Sequence, residues 1–121
     1  MASTASTANG LELKDAKWIH EPGEREDHPG QTLATRNPAV IRAWAEERKA
    51  RPATNPGGDP ENPRVLLLDF PGYTEGLQPV SWETWFRVFK DRDLVFLFQQ
   101  HTKAGRQSNF FRLVSPHRED A

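Results

Sequence analysis

Between Arg64 and Ser115 the chain carries all seven of its Phe, its only Tyr and two of its four Trp. Aromatic side chains bury the largest apolar area per residue, so that stretch is where a core can form. Just ahead of it, residues 52–63 hold Pro52, Pro56, Pro60 and Pro63 together with Gly57 and Gly58. Neither a helix nor an interior strand tolerates that density, which predicts a long loop over 52–63 and a small α+β core over 64–116. Loops of this length are uncommon inside a compact unit, so the helix predicted before it reads as a loosely attached arm.

That helix spans 36–51. Asn37 is a good N-cap and Pro38 suits the first helical position, where its missing N–H costs nothing. Ile41, Trp44, Ala45 and Arg48 recur at helical spacing, Glu47 and Arg51 make an i, i+4 pair, and Pro52 stops the run. Val65-Leu66-Leu67-Leu68-Asp69-Phe70 is apolar on both faces except at Asp69, the pattern of a buried central strand. Pro71-Gly72 then suits a type II turn. Ser81 caps a second helix whose Trp82, Trp85, Phe86 and Phe89 share one face, with Val80 and Trp85 spaced as a hydrophobic staple. Leu94–Gln100 and Ser108–Val114 flank Lys103-Ala104-Gly105-Arg106 as a hairpin. The predicted fold class is α+β: a small single sheet of three or more strands, including this C-terminal hairpin, packed by one or two helices.

Before residue 36 the sequence reads as irregular. Residues 1–10 carry no charge and bury almost nothing, which predicts a disordered tail, as it does for 117–121. Residues 11–35 form an acidic extended or loop segment, with Leu11, Leu13, Trp18 and Ile19 placed to pin it to the core. The 121 residues suffice for one domain, and the net charge is −1. With no Cys there is no disulfide, thiolate zinc site or Cys nucleophile. No apolar run reaches the ~20 residues that cross a bilayer, and Met1–Gly10 lacks a signal pattern, so the expectation is a cytoplasmic protein away from the membrane.

The run Leu68-Asp69-Phe70-Pro71-Gly72-Tyr73, then Ser81-Trp82-Glu83-Thr84-Trp85-Phe86 and Phe89, resembles a set of short uncharacterised bacterial proteins. Theirs is also a helix like Ile41–Arg48 before the strand and a closing hairpin like Leu97-Phe98-Gln99-Gln100, Thr102, Gly105, Ser108, Phe110 and Leu113-Val114. The resemblance covers about Pro38 to Ser115, departs at Phe111-Arg112, where a more polar pair is expected, and implies a fold without a mechanism. Some of these proteins are labelled 1,4-α-glucan branching enzymes. Such enzymes use a barrel of about 250 residues with its catalytic groups on loops at one face, which 121 residues cannot build.

The search for chemistry is short. Asp69, at the end of an apolar strand, is the most suggestive general acid, but no second carboxylate is spaced to work with it. The favoured reading makes Asp69 an acceptor for the backbone of the Pro71-Gly72 turn or for a Trp indole. Asp69, Pro71, Gly72, Ser81, Trp82 and Trp85 are thus expected to be architectural. Glu83 complements a helix dipole. His20 and His28 bracket Glu21, Glu24 and Asp27, but Pro22, Gly23, Pro29 and Gly30 leave those donors unfixed, so no metal site is expected. No nucleophile elbow, phosphate loop or dinucleotide motif is present, and no cofactor is implied.

Binding has more to stand on. Leu94–Arg118 contains no acid, while Lys103, Arg106, Arg112 and Arg118 give it a charge of +4. Lys103, Arg106 and Arg112, with Phe111 and His101 beside them, are the candidate surface. The first expectation is a non-enzymatic accessory module that binds another protein or a second copy of itself. The alternative is a nucleic-acid binder using the same basic hairpin, with phosphate contacts and base stacking. A carbohydrate-active enzyme ranks last.

Overall fold

A computed structural model describes residues 13–72 and 76–116. The expected tails at 1–10 and 117–121, and Tyr73, lie outside the described residues. Two compact units divide the chain, one of Met1–Ile41 with Leu94–Ala121 and one of Arg42–Asp93. The class is α+β with a C-terminal hairpin, and among the described residues the strands divide between two sheets, of four and three strands, rather than forming one.

In the first unit, β1 (Lys17–Trp18), β2 (Leu33–Thr35), β6 (Val95–Phe98) and β7 (Phe111–Val114) lie in the order β1-β2-β6-β7. β1 runs parallel to β2, and the other neighbours are antiparallel. All four residues of β6 are buried, so both of its faces are covered. Val95 and Leu97 cluster with Ala34 and Val114 on one face, where Leu13 and Ala16 pack against them. On the other face Phe96 stacks on Phe111 at 5.6 Å and tilts against Phe98 at 5.5 Å.

Within 11–35, read from the sequence as extended or looped, Leu33–Thr35 form the interior strand β2. Leu33, Ala34 and Thr35 are fully buried beside β6, in register with Phe98, Leu97 and Phe96. Three residues carry too short a pattern to be read alone, and their partner lies beyond the whole second unit. The Thr35 hydroxyl donates to the Ile19 carbonyl at 2.7 Å and accepts from the Asn37 N–H at 3.1 Å, so its burial leaves no unmet polar group.

Helix α1 (Pro38–Glu47) starts as the sequence predicts, with Asn37 Oδ1 accepting from the Ala39 N–H at 2.9 Å. Its end is different. Lys49 adopts φ +57°, the Lys49 N–H bonds the Glu46 carbonyl at 3.0 Å, and the Ala50 N–H bonds that of Ala45 at 2.9 Å. This paired closure stops the helix before Pro52 is reached and turns the chain straight into β3 (Arg51–Thr54). Arg51 is therefore a strand residue; Glu47 pairs with Arg48, and the i, i+4 ion pair is Arg42–Glu46.

β3 is the middle strand of the second unit's sheet, ordered β4-β3-β5 with β4 (Leu67–Asp69) and β5 (Gln78–Pro79), all antiparallel. The expected loop over 52–63 thus begins with a central strand. The Val80 N–H donates to the Pro52 carbonyl at 3.0 Å, so Pro52 faces β5. Its missing N–H falls at the very end of that pairing and costs a single ladder bond, while Arg51 and Ala53 face β4 with their donors intact. β4, expected to be central, is an edge.

The rest of the loop is fastened by side chains. Thr54 Oγ1 donates to the Val65 carbonyl, Arg87 to that of Glu61, and Arg92 to those of Pro63 and Arg64, at 2.6 to 3.1 Å. Helix α2 (Trp82–Asp91) is capped by Ser81, whose hydroxyl accepts from the Thr84 N–H at 3.0 Å. It buries Trp85, Val88 and Phe89, and the Trp85 indole donates to the Leu67 carbonyl at 3.0 Å. Trp82 and Phe86 are half-buried and stack at 4.9 Å.

Candidate functional site

The hairpin turn predicted from Lys103-Ala104-Gly105-Arg106 forms. The Gly105 N–H bonds the Thr102 carbonyl and the Thr102 N–H bonds that of Arg106, both at 2.8 Å, with Gly105 at φ +87°. This is a three-residue hairpin loop with its glycine in the left-handed position, the geometry that matches strand twist. His101 bridges to Gln107 just below it. Lys103 and Arg106 stand exposed on the turn.

A second loop, from the acidic segment, is latched against this turn. His101 Nδ1 lies 2.6 Å from Glu26 Oε2, across 75 residues of sequence. The Gly30 N–H donates to the His101 carbonyl at 2.9 Å, Gln99 Nε2 to the Gly30 carbonyl at 3.2 Å, and the Glu26 N–H to Gln100 Oε1 at 2.9 Å. Gly30 is needed twice over: its φ is +87°, and a Cβ there would come within 2.6 Å of Lys103 Cγ. The Glu26 carboxylate is nearly enclosed, and among the described residues its Oε1 has no hydrogen-bond partner, so it is held through Oε2 alone. Asp27 is tied separately. Lys17 Nζ donates to it at 2.8 Å and Gln31 hydrogen-bonds it as well, which holds its carboxyl below the ordinary carboxylate range.

The sequence candidates therefore split. Lys103, Arg106 and His101 meet at the hairpin end. Arg112 does not: it is half-buried on β7, in register with Leu97. Phe111 is stacked on Phe96, and the exposed aromatic of the hairpin is its neighbour Phe110, at 36%. Alternation within β7 sends Phe111 to the packed face. Glu26, Gly30 and Gln100 were invisible as site residues, because nothing local to either loop announces a contact 75 residues away.

Ser81, Trp85 and Gly72, three of the residues expected to be architectural, each engage the local backbone. Ser81 caps α2, Trp85 binds the β4 backbone, and Gly72 takes φ +89° in the turn after Pro71. Asp69, however, makes no hydrogen bond to the turn or to an indole among the described residues. It is half-exposed and lines an open cleft of about 340 Å³ with Lys49, Arg51 and Phe70. Water solvates the carboxylate there, so no internal donor is required. A cleft of about 380 Å³ in the first unit is lined by Trp18, Ile19, His20, Thr35, Arg36 and Asn37. Among the described residues no group of three His, Asp or Glu is placed to hold a metal, and no helix is long and apolar enough to cross a membrane.

With this geometry in view, comparison with known proteins finds no match: no family model fits the chain, and no curated protein or solved structure matches it.

Proposed function

We propose that the protein is a non-enzymatic accessory module that docks a partner protein through the hairpin end, with Lys103 and Arg106 meeting an acidic stretch of that partner. Its kinship with the short bacterial proteins is part of the same proposal. The observation that carries it is the latch. Glu26, Gly30 and Gln100 hold the turn from the far loop, so two exposed cations sit on a pre-organised support and little freedom is lost on binding. Nucleic acid is the weaker reading, because Phe111, the aromatic expected to stack on bases, is itself packed on Phe96. Of the two neighbouring hairpin phenylalanines, Phe110 is the exposed one, which leaves little stacking surface beside Lys103 and Arg106.

Affinity capture of the full chain from bacterial lysate, with and without nuclease, tests the reading. A discrete protein should survive nuclease, and the double variant Lys103→Glu/Arg106→Glu should bind it roughly tenfold more weakly, about 1.4 kcal/mol. Partners lost on nuclease treatment would move the function to nucleic acid. Undiminished capture by the double variant would place the docking surface elsewhere.

A further inference from the structure

The turn out of α1 places a lysine where glycine is the usual occupant. Of the two described non-glycine residues at positive φ, Asp93 (+53°) is a short polar type that tolerates the left-handed region, whereas Lys49 (+57°) is not. Backbone strain of this kind gathers at ligand sites, so the side chain that accompanies it is the place to look for a use.

The acids just before Lys49 are taken, Glu46 by Arg42 and Glu47 by Arg48, and among the described residues the Lys49 side chain makes neither an ion pair nor a hydrogen bond. It lines the open cleft of about 340 Å³ in the second unit, together with Arg51, Asp69 and Gly72. Arg51 and Asp69 stand directly opposite each other on β3 and β4, within reach of one another. They form no ion pair, and neither side chain is hydrogen-bonded within the described residues. Two cations and one carboxylate are thus gathered on one cleft with no internal partner. Gly72 puts no side chain in front of them, and a Cβ there would meet nothing within 4 Å, so the mouth stays open. The Trp18 cleft of the first unit has one guanidinium, Arg36, and no carboxylate.

We propose that this cleft binds a small zwitterion, an α-amino acid with an acidic side chain. The charges select the class. A plain anion would meet Asp69 and a plain cation would meet Lys49 and Arg51, so a ligand gains from all three only by carrying both signs. The Arg51 guanidinium is a planar fork that matches a carboxylate bidentately. An α-amino acid carries its carboxylate and its ammonium on one carbon, which suits a guanidinium and a carboxylate set side by side across the ladder. Lys49, a compact charge on a long stem, is left for the second carboxylate. A sugar phosphate would satisfy the two cations but would offer Asp69 hydroxyls alone, and is the poorer fit. The site belongs to the second unit, and the proposal does not rest on the docking role given to Lys103 and Arg106.

An NMR titration of the isotope-labelled full chain at low ionic strength, read at the Lys49, Arg51 and Gly72 amides, tests it. L-Glutamate should bind with a Kd on the order of 1 mM, as suits exposed charges. Glutarate lacks the ammonium and L-glutamine lacks the second carboxylate, and each should bind roughly fivefold more weakly. Asp69→Asn should erase the preference for glutamate over glutarate. Lys49→Gly should erase the preference over glutamine while keeping the far-UV spectrum. A merely destabilised variant would not lose one preference and keep the other. No saturable shift with glutamate, glutarate binding as tightly as glutamate, or preferences that survive both substitutions would each overturn the inference. Tighter binding of glucose 6-phosphate than of glutamate would overturn it too, because Asp69 would then meet no opposite charge. The Lys103→Glu/Arg106→Glu variant should bind glutamate normally, which separates failure here from failure of the docking proposal.

Discussion

Asp27 shows how a single exposed residue can matter to one loop. The side chains of Lys17 and Gln31 favour its ionised form, and Lys17 also reaches the Arg25 carbonyl at 2.8 Å, so the ammonium closes the 25–27 bend. Because the folded pKa is lowered, this contribution is complete above the ordinary carboxylate value of about 3.9 and is lost as pH falls through the lower folded value. Asp27→Asn removes the dependence. The variant is therefore expected to be slightly less stable than wild type near neutrality, with the gap closing in acid, as followed by denaturant midpoints at several pH values. Arg48 illustrates the opposite environment. It is 6% exposed, its guanidinium lies 4.3 Å over the Trp44 ring, and burial pulls its pKa down while Glu47 opposes the shift. An arginine at that i+7 position extends an apolar stripe because its stem packs and its head finds the Trp44 carbonyl at 3.0 Å.

Among the elements, α1 is the one whose termini teach most. Its start was legible because capping is local: Asn37, Pro38 and Ala39 contain the whole interaction. Its end depends on Lys49 accepting a left-handed φ of +57°, a conformation that costs a non-glycine residue about 1 kcal/mol. Glycine is the usual occupant of such a position. Lys49→Gly is thus expected to stabilise the protein by roughly 0.5–1 kcal/mol, part of the gain being offset by the freer unfolded chain. A higher urea midpoint with an unchanged slope would show it; a loss of stability would mean that the Lys49 side chain contributes more than its backbone costs. β3 carries the same lesson for proline. The density of Pro and Gly in 52–63 was a sound signal for the loop after Thr54, but a lone Pro at a strand's start loses only the bond that its own side of the ladder requires.

On the scale of the whole molecule, the two units differ in how far their contacts reach along the chain. The β4-β3-β5 sheet and α2 are built within Arg42–Asp93, whereas β2 must find β6 across that entire segment. Closing the longer loop costs more entropy before any pairing rewards it. Pulse-labelled hydrogen exchange during refolding should therefore protect amides of β3 and α2 before those of β2 and β6. Simultaneous protection, or β2 first, would contradict that order.

Much of the fold was legible from short windows. The Asn37 and Ser81 caps, the Gly105 hairpin turn with its flanking strands and the aromatic face of α2 each depend on residues within about one helical turn or one hairpin, and each is present. The candidate site was half legible. Lys103, Arg106 and His101 were placed by the turn they flank, but Phe111 and Arg112 were assigned to the surface without knowing which face of β7 would be covered. What only the tertiary structure decided is everything that depends on strand partners: that Leu33-Ala34-Thr35 is an interior strand, that β4 is an edge, that there are two sheets, and that Glu26 closes on His101. A helix or a turn is specified by neighbours in sequence, and its hydrogen bonds are internal. A strand has no internal hydrogen bonds, so its position, its exposure and its free edge are set by a partner that can lie anywhere along the chain.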